Sequence, residues 1–485
     1  MDRTTTSPTP SATSVPQPKK PGLLINDAYA RLWVGQTTSI FGNFIFDTTL
    51  VLWIAAVIAR GQTWAPLAVS GIFIATTIPT LFISPIAGVF VDRWNKRRTM
   101  LMMDALRAAL VALLILTAGV FPLPFLPGGR LPALWQLGVI YGVVFLLNTL
   151  SLFFRPASLA LMGDIVPVET QAHAMGLSQT SMSIAMILGP TLAAPIFVAF
   201  GPEWALGANA LSFVVSFLFV QSVHAPPAAS SVSEGERPRF WKELGLGLRF
   251  FLRSRLLVVM TIAAAILMLG GGAINTLDYF FVTGNLHAPE NLYGLITGIM
   301  GVGLIVGAVL AGAFAQKIGL TRTIWISLLA LAISVLAYAR MSDFWIAAAL
   351  TAVLGVFQAA LNVAVGPLLL QSAPREMIGR VSSILDPLIT TAALVGAGLA
   401  GYLDSTLMSG FSATLLGVHF GPVDTILTGA GVMALAGALF AMVGLRGVRP
   451  AVQQPSNVDT SDASAPPQAT STPPLIVEAQ QPVIS

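Results

Sequence analysis

Two polar side chains stand inside the first long apolar run of the chain, where a charge is costly. Asp47 lies deep within the run 30–59, and Asn43 lies one helical turn earlier on the same face. A charged side chain at the depth of a bilayer costs at least about 2.5–3.5 kcal/mol, so it needs a partner, a cavity or a function. We expect Asp47 either to handle a proton or a substrate, or to be a hydrogen-bonded structural carboxylate.

Two further carboxylates occupy later apolar runs. Asp278 follows Asn275 by three residues in the seventh run, and its place near one end of that run favours exposure at the membrane interface over proton or substrate handling. Asp386 precedes Pro387, and a proline break frees backbone groups that can line a cavity. Because Asp386 lies only about two turns from the end of its run, capping of a helix end is an equal alternative.

An acid and a base are spaced three residues apart in the third run. Asp104 and Arg107 therefore lie on one face of a helix and can form an ion pair. Pairing lowers the cost of both charges. We interpret the pair chiefly as structural, with a part in a gate at one membrane surface.

A cluster of charges between the second and third runs suits a mechanical role. The carboxylate of Asp92 can pair with basic residues or a helix N terminus in one conformation and release them in another, which biases a two-state equilibrium. Retention of positive charge on one side of a membrane explains Lys96, Arg97 and Arg98 but not Asp92. The predicted gating residues are Gly88, Asp92, Arg93, Arg97, Arg98, Asp104 and Arg107.

Several other chemistries lack the residues they need. The 485 residues include no cysteine, and the four histidines lack metal-binding spacing. We therefore predict no metal site and no cofactor. The sequence shows neither the nucleophile and base of an enzyme nor an added signalling domain, so a membrane enzyme or receptor is the least favoured function.

Membrane-spanning helices must position these side chains. Charged residues make up 9% of the chain and hydrophobic residues 55%, whereas soluble domains are about 25% charged. Crossing a bilayer takes about 20 apolar residues. Twelve runs qualify, at 30–59, 65–91, 99–121, 132–154, 170–200, 203–224, 256–284, 292–315, 320–340, 343–371, 378–403 and 422–446.

The runs form two sets of six. The frame that begins at Gly88 returns at Gly312, with Gln316 in place of Asp92, as expected of duplicated halves. We predict an all-α integral membrane protein with twelve transmembrane helices in two pseudo-symmetric six-helix bundles. The predicted parts are a disordered tail at 1–27, bundles at 28–224 and 256–446, a linker at 225–255 that ends in an amphipathic helix or is simply charged, and a disordered tail at 447–485.

The basic residues predict the orientation. Connections after the even-numbered runs hold most of them, Arg155 included, whereas connections after odd-numbered runs hold only Arg60, Arg130 and Arg340. Positive charge is retained in the cytoplasm, so both termini are predicted to be cytoplasmic in a multi-pass protein of the cell membrane. Because the basic residues lie beside apolar runs, the net charge of +4 indicates a lipid bilayer as partner, and not nucleic acid.

The segment from Gly88 to Arg98 resembles the loop signature G-x-x-x-D-R-x-G-R-R of the major facilitator superfamily, with Asn95 where that family usually has glycine. The resemblance covers about residues 28–446. Asp104-Ala-Leu-Arg107 and Gly379-Arg380-Val381-Ser382 look like the drug and macrolide exporters, a subfamily that also resembles an exporter of catecholate siderophores. The resemblance implies proton antiport of hydrophobic or amphipathic small molecules, with alternating access between two bundles.

The chain departs from some drug–proton antiporters in the fourth run. Their R-x-x-Q-G pattern is absent between Gly142 and Asn148, and Gly189-Pro190 matches the antiporter glycine–proline motif only in part. The alternatives are export of a siderophore or metabolite, and proton-coupled import of a nutrient. We expect a monomer whose partners are the bilayer, a small-molecule substrate and protons.

Overall fold

The computed structural model describes residues 25–91, 94–117, 131–223, 248–372, 375–415 and 418–445. Among them, twelve helices are long and apolar enough to cross a membrane, which confirms the predicted number. They are α1 (Asp27–Leu52), α2 (Ala65–Val91), α3 (Lys96–Thr117), α4 (Ala133–Ile165), α5 (Gln171–Phe200), α6 (Pro202–Ser222), α7 (Arg255–Phe280), α8 (Tyr293–Ile318), α9 (Leu320–Tyr338), α10 (Phe344–Ser372), α11 (Arg375–Tyr402) and α12 (Pro422–Gly444).

Local chemistry sets several helix ends. Asn26 caps α1, because its Oδ1 accepts a 2.7 Å hydrogen bond from the Tyr29 amide. Its Nδ2 donates to the carbonyl of Ile165, 2.8 Å away, which joins the start of α1 to the end of α4. Single π-helical turns continue α1, α7 and α11 at Trp53–Ile58, Phe281–Asn285 and Leu403–Leu407.

The fourth helix is longer than predicted. The apolar run ends at 154, yet α4 continues to Ile165, so Arg155 lies within the helix and its assignment to the following connection is wrong. The helix continues because Ala157, Ser158 and Leu161 are buried against protein, and a protein interior does not require the unbroken apolar sequence that lipid does.

Two smaller features complete the described chain. The strands Ala413–Leu415 (β1) and Val418–Phe420 (β2) pair antiparallel between α11 and α12, a hairpin that the all-helical prediction did not include. Residues 248–253, at the end of the predicted linker, are helical, with Phe251 buried and Leu252 exposed. The remainder of the linker and most of both predicted tails lie outside the described residues.

The two halves of the chain repeat one pattern of helix contacts. In the N half (α1–α6), α1 packs on α5 and α6, α3 packs on α4 and α6, and α2 packs on α4. In the C half (α7–α12), each counterpart pair, six helices later, also packs together. Between the halves, the large contacts are α5 with α8 and α2 with α11, again counterparts. The predicted pair of pseudo-symmetric six-helix bundles is confirmed.

Among the described residues, apolar clusters join the two halves at one end of the molecule and not at the other. We call the end where α1 begins and α12 ends the inner face, and the opposite end the outer face. At the outer face, one cluster that includes Trp53, Leu277, Phe281 and Tyr338 joins both halves. At the inner face, the apolar clusters of described residues belong either to the N half or to the C half. The described structure is therefore closed at its outer face.

Candidate functional site

A cavity of about 410 Å³ lies within the N half. Helices α1, α3, α4 and α5 supply its walls, which combine charged, amide and hydroxyl groups with aromatic and aliphatic side chains. Such a mixture suits an amphipathic molecule, because apolar walls supply affinity and a few polar groups supply orientation. The lining residues are Gln36, Ser39, Ile40, Asn43, Phe44, Asp47, Arg107, Ser151, Phe154, Arg155, Ser158, Leu159 and Met182.

Asp47 faces this cavity from α1. Its side chain is exposed, although its neighbours Phe46 and Thr48 are buried. Because Asp47 lines the cavity, the space to which it is exposed is the cavity. Within the part of the chain that the structure describes, its carboxylate has no hydrogen bond or ion pair, which disfavours a purely structural role. Asn43, one turn earlier, lines the same wall.

Asp104 and Arg107 form the pair that their spacing predicts. Arg107 Nη1 lies 3.5 Å from Asp104 Oδ1, and both residues are buried. The Ser216 hydroxyl on α6 donates a 2.7 Å hydrogen bond to the other oxygen, Asp104 Oδ2. The Arg107 guanidinium also lies 4.4 Å from the ring centre of Phe154, a cation–π contact. Side chains from α3, α4 and α6 thus hold the pair, and Arg107 also lines the cavity.

Arg155 is a cavity residue that sequence reasoning missed. It lies on α4, its side chain is exposed, and it lines the same cavity as Asp47 and Arg107. Within the described residues it has no ion pair. Because the apolar run stops just before Arg155, the sequence predicts that this residue begins a loop. The signal in the sequence is that small and apolar residues, Ala157, Ser158 and Leu161, follow at helical spacing; in the structure all three are buried.

A second cavity, of about 260 Å³, lies within the C half and contains Asp278. Tyr338 on α9 donates a 2.6 Å hydrogen bond from its hydroxyl to Asp278 Oδ1. Asn275, Tyr293 and Gln358 line the same cavity. The expected exposure of Asp278 at the membrane interface is wrong, because α7 turns this side chain toward α9 and the bundle interior.

Asp386 is not brought together with the other carboxylates. Its side chain is exposed on α11, beside the in-helix Pro387, and it lines neither of the two cavities. Because α11 begins at Arg375 and continues to Tyr402, Asp386 lies in its interior. Capping of the helix end is therefore excluded.

The described residues of the predicted gating loop bind helix ends of the N half. Lys96 Nζ lies 2.6 Å from Asp164 Oδ2 near the end of α4. Arg97 donates hydrogen bonds to the carbonyls of Val220 and Gln221 at the end of α6. The helix dipole also stabilises a positive charge at this C-terminal end. Arg98 is exposed. Gly88 lies in α2, whereas Asp92 and Arg93 lie outside the described residues.

Glycines bring the helices of the two halves into close contact. A Cβ atom added at Gly294 on α8 would collide with the carbonyl oxygen of Pro190 on α5, and one at Gly298 would collide with Thr191 Oγ1. Gly303 and Gly307, on another face of α8, are equally close to α10. These glycines therefore let α8 pack closely against both α5 and α10.

Comparisons with known proteins agree with this architecture. The model of the family described as "transmembrane secretion effector" matches residues 22–466. The chain is 25% identical to the uncharacterized MFS-type transporter YkuC of Bacillus subtilis, over 76% of this chain and 82% of the relative. It is 23% identical to macrolide efflux protein A of Streptococcus pyogenes, over 75% of this chain and 86% of the relative. The crystal structure of the nucleoside transporter NupG superposes with a TM-score of 0.64 at 11% identity, covering 87% of this chain and 100% of the other.

Proposed function

Because the chain belongs to the transmembrane secretion effector family of the major facilitator superfamily, we propose that it exports hydrophobic or amphipathic small molecules across the cell membrane by proton antiport. The family consists of membrane transporters, so the protein is a transporter and not an enzyme. The observation that carries the proposal is the Asp47 carboxylate, unpaired among the described residues and facing a cavity with both polar and aromatic walls. The name of the macrolide efflux relative supports outward transport.

Asp47 supplies a simple exchange mechanism. The negative charge of a carboxylate inside the membrane can be neutralised by a bound proton or balanced by a cationic group of a substrate. Because the two ligands compete for one group, entry of a proton from outside releases the substrate, and entry of substrate from inside releases the proton. Asn43, one turn away, can hold either form of the carboxyl group through its amide. Asp278 in the C half is the second candidate for the proton.

Alternating access follows from the two-bundle construction. The outer face is closed by the shared apolar cluster, so a substrate reaches the N-half cavity from the inner face. Rocking of the two halves about the α5–α8 and α2–α11 contacts would close the inner face and open the outer one. We place the inner face and both termini in the cytoplasm, on the distribution of basic residues.

The remaining parts of the chain serve this motion. Residues 28–224 and 256–446 act as two bodies, joined by the linker 225–255 and flanked by cytoplasmic tails at 1–27 and 447–485. Asp92 and Arg93, with Arg97, Arg98 and the Asp104–Arg107 pair, form the inner gate, and a monomer is the working unit. Asp92→Asn should slow turnover more than it weakens substrate binding. Unchanged turnover would remove Asp92 from the gate.

Everted membrane vesicles test the coupling. We expect vesicles that contain the protein to accumulate a fluorescent amphipathic dye when respiration acidifies their interior, and to lose it when nigericin collapses the pH gradient. Asp47→Asn should abolish this accumulation with normal protein levels in the membrane. Accumulation that survives nigericin, or full transport by Asp47→Asn, would contradict proton antiport through Asp47.

Two alternatives differ in cargo or direction. A siderophore or metabolite exporter would share the same geometry, and a metabolite panel that compares deletion and overexpression strains separates these cargoes. A proton-coupled importer shares the fold, as the likeness to a nucleoside transporter illustrates. Net uptake by whole cells that depends on the protein would favour import.

A further inference from the structure

The N-half cavity contains a positive charge that the proposed antiport does not use. Arg155 projects from α4 into the cavity and has no ion pair within the described residues. A guanidinium in a membrane-spanning segment stays charged and is costly without an anionic or hydrogen-bonding partner. The other arginine of the cavity, Arg107, is already paired with Asp104. Arg155 is therefore the cation that remains for a ligand.

The guanidinium selects a particular kind of ligand. Its planar set of N–H donors matches a carboxylate or phosphate in a bidentate arrangement. Ser158, nearly one turn after Arg155 on α4, lines the same wall; its oxygen accepts a hydrogen bond from Gln36, so its hydroxyl proton is left to donate to a ligand. This wall of the cavity is thus suited to an acidic group, whereas the wall at Asp47 is suited to a basic one.

The depth of the two charges can be read from the helix contacts. The hydrogen bond from Asn26 to Ile165 sets the inner ends of α1 and α4 side by side. Further in, Gln36 on α1 contacts Ser158 on α4, an alignment shifted by three residues from the first. Asp47 is 21 residues beyond Asn26 and Arg155 is 10 residues before Ile165, so at about 1.5 Å per residue their Cα atoms differ by about 16 Å in depth on the first contact, and by about 12 Å on the second.

Apolar side chains line part of the cavity beside the two charges. Ile40, Phe44, Leu159 and Met182 line the cavity together with the ring of Phe154. Methionine and aromatic side chains accept apolar surfaces of varied shape. A ligand that reaches both charged groups can therefore pack an apolar body against these side chains.

We propose that the substrate is an elongated amphipathic zwitterion, whose acidic group binds Arg155 near the inner face and whose basic group binds Asp47 at the deep end of the cavity. The proposal rests on the proposed function, because it takes this cavity as the transport site. With both charges of the cavity neutralised by the ligand, the loaded N half carries no net charge from these groups. The basic group is the one that competes with the proton at Asp47.

Equilibrium binding to the purified full-length protein in nanodiscs tests the proposal without any gradient. The probe is ω-aminododecanoic acid, a linear zwitterion with an apolar chain, and its methyl ester is the matched cation. We expect the acid to bind at least about tenfold more tightly than the ester, as a charge-assisted hydrogen bond to a carboxylate predicts. Arg155→Gln should remove this preference by weakening the acid alone, and Arg155→Lys should restore part of it.

Matched variants separate a ligand contact from a loss of structure. Arg322→Gln alters an exposed arginine on α9 that lines neither cavity, and should leave both affinities unchanged. Asp47→Asn should weaken the amino acid and its ester but not dodecanoic acid, which lacks the amine. Equal wild-type affinities for acid and ester, or an unchanged preference in a folded Arg155→Gln protein, would overturn the proposal. Because binding is measured without a pH gradient, failure of proton antiport would leave this result standing.

Discussion

The Tyr338 hydroxyl on α9 and the Asp278 carboxylate on α7 are joined by a 2.6 Å hydrogen bond. The ring of Tyr338 also lies 4.7 Å from the ring of Phe281, inside the cluster that closes the outer face. One tyrosine therefore contacts both the carboxylate of the C-half cavity and the apolar contact between the halves. We therefore expect a substitution of Asp278 to alter the packing of Tyr338 in the apolar cluster that closes the outer face.

Removal of the Tyr338 hydroxyl should destabilise the protein. Tyr338→Phe keeps the ring but takes away the donor, and a hydrogen bond to a charged group contributes about 1.5–3 kcal/mol. We expect a lower apparent Tm in thermal unfolding of the purified protein. Tyr402→Phe, at an exposed tyrosine of α11, is the matched control and should leave the Tm unchanged. Equal Tm values for the two variants would show that the Tyr338 bond adds no stability.

The buried pair in α3 should show strong coupling. Asp104→Asn leaves Arg107 buried without a counter-charge, and breaking a buried pair costs about 3–5 kcal/mol. The double variant Asp104→Leu with Arg107→Met removes both charges and should be more stable than either Asp104→Leu or Arg107→Met alone. Thermal unfolding in detergent of the wild type, Asp104→Asn, the two single variants of this cycle and the double variant measures this. Additive losses in the double variant would contradict coupling between the two side chains.

Two neighbouring arginines at the start of α3 should differ in their effect on stability. Arg97 donates to carbonyls at the end of α6, whereas the side chain of Arg98 is exposed. Arg97→Gln removes a cation from a helix C terminus, an interaction of about 0.3–1 kcal/mol in addition to the hydrogen bonds. Arg97→Gln should therefore lower the apparent Tm more than Arg98→Gln. The reverse order would mean that the α6 contact is not retained in the membrane.

The α5–α8 contact should control closure of the outer face. Gly294→Leu places a side chain where the Pro190 carbonyl lies, whereas a Cβ at Gly312 on the same helix meets no atom within 4 Å. The chain has no native cysteine, so a single Asn43→Cys can report access to the cavity. We expect an impermeant maleimide added outside cells to label Asn43→Cys faster with Gly294→Leu and at an unchanged rate with Gly312→Leu. Identical rates would remove this contact from the outer closure.

The orientation can be tested by the same labelling. Ser7→Cys, in the N-terminal tail, should be protected from an impermeant maleimide in intact cells and react after permeabilisation. Ser409→Cys, at the exposed outer end of the segment after α11, should react without permeabilisation. The opposite pattern would invert the proposed topology and place the closed face in the cytoplasm.

The features that the sequence predicts well are those imposed by the bilayer. Apolar length alone identifies the twelve helices, and the repeated frame at Gly88 and Gly312 identifies the two halves. The pair of Asp104 and Arg107 was predictable because both residues lie in one helix. Each of these features depends on the lengths, repeats and spacings of residues along the chain, and these can be read from a single sequence.

The features that the sequence does not predict depend on which face of a helix meets protein. The position of Asp278 near the end of its apolar run predicts exposure at the membrane interface. In the structure its carboxylate is instead hydrogen-bonded to Tyr338, which lies 60 residues further along the chain. Arg155 was placed by the end of an apolar run, yet α4 continues against protein. Arg340 binds Asp424 with a 3.2 Å ion pair across 84 residues, a contact that no local pattern indicates.

The fixed charges of the N-half cavity have an electrical consequence. The charges of Arg155 and ionised Asp47 sum to zero. A change of access with Asp47 ionised therefore moves no net charge of these two groups through the membrane potential. When Asp47 binds a proton, the same half carries one positive charge, and moving it through the full membrane potential involves about 2.3 kcal/mol per 100 mV. Under the proposed antiport, the inside-negative potential of a cell therefore favours the change of the proton-loaded protein to the inward-facing state. In the proposed antiport, the membrane potential and the pH gradient therefore both drive the substrate-free, proton-loaded protein back to the inward-facing state.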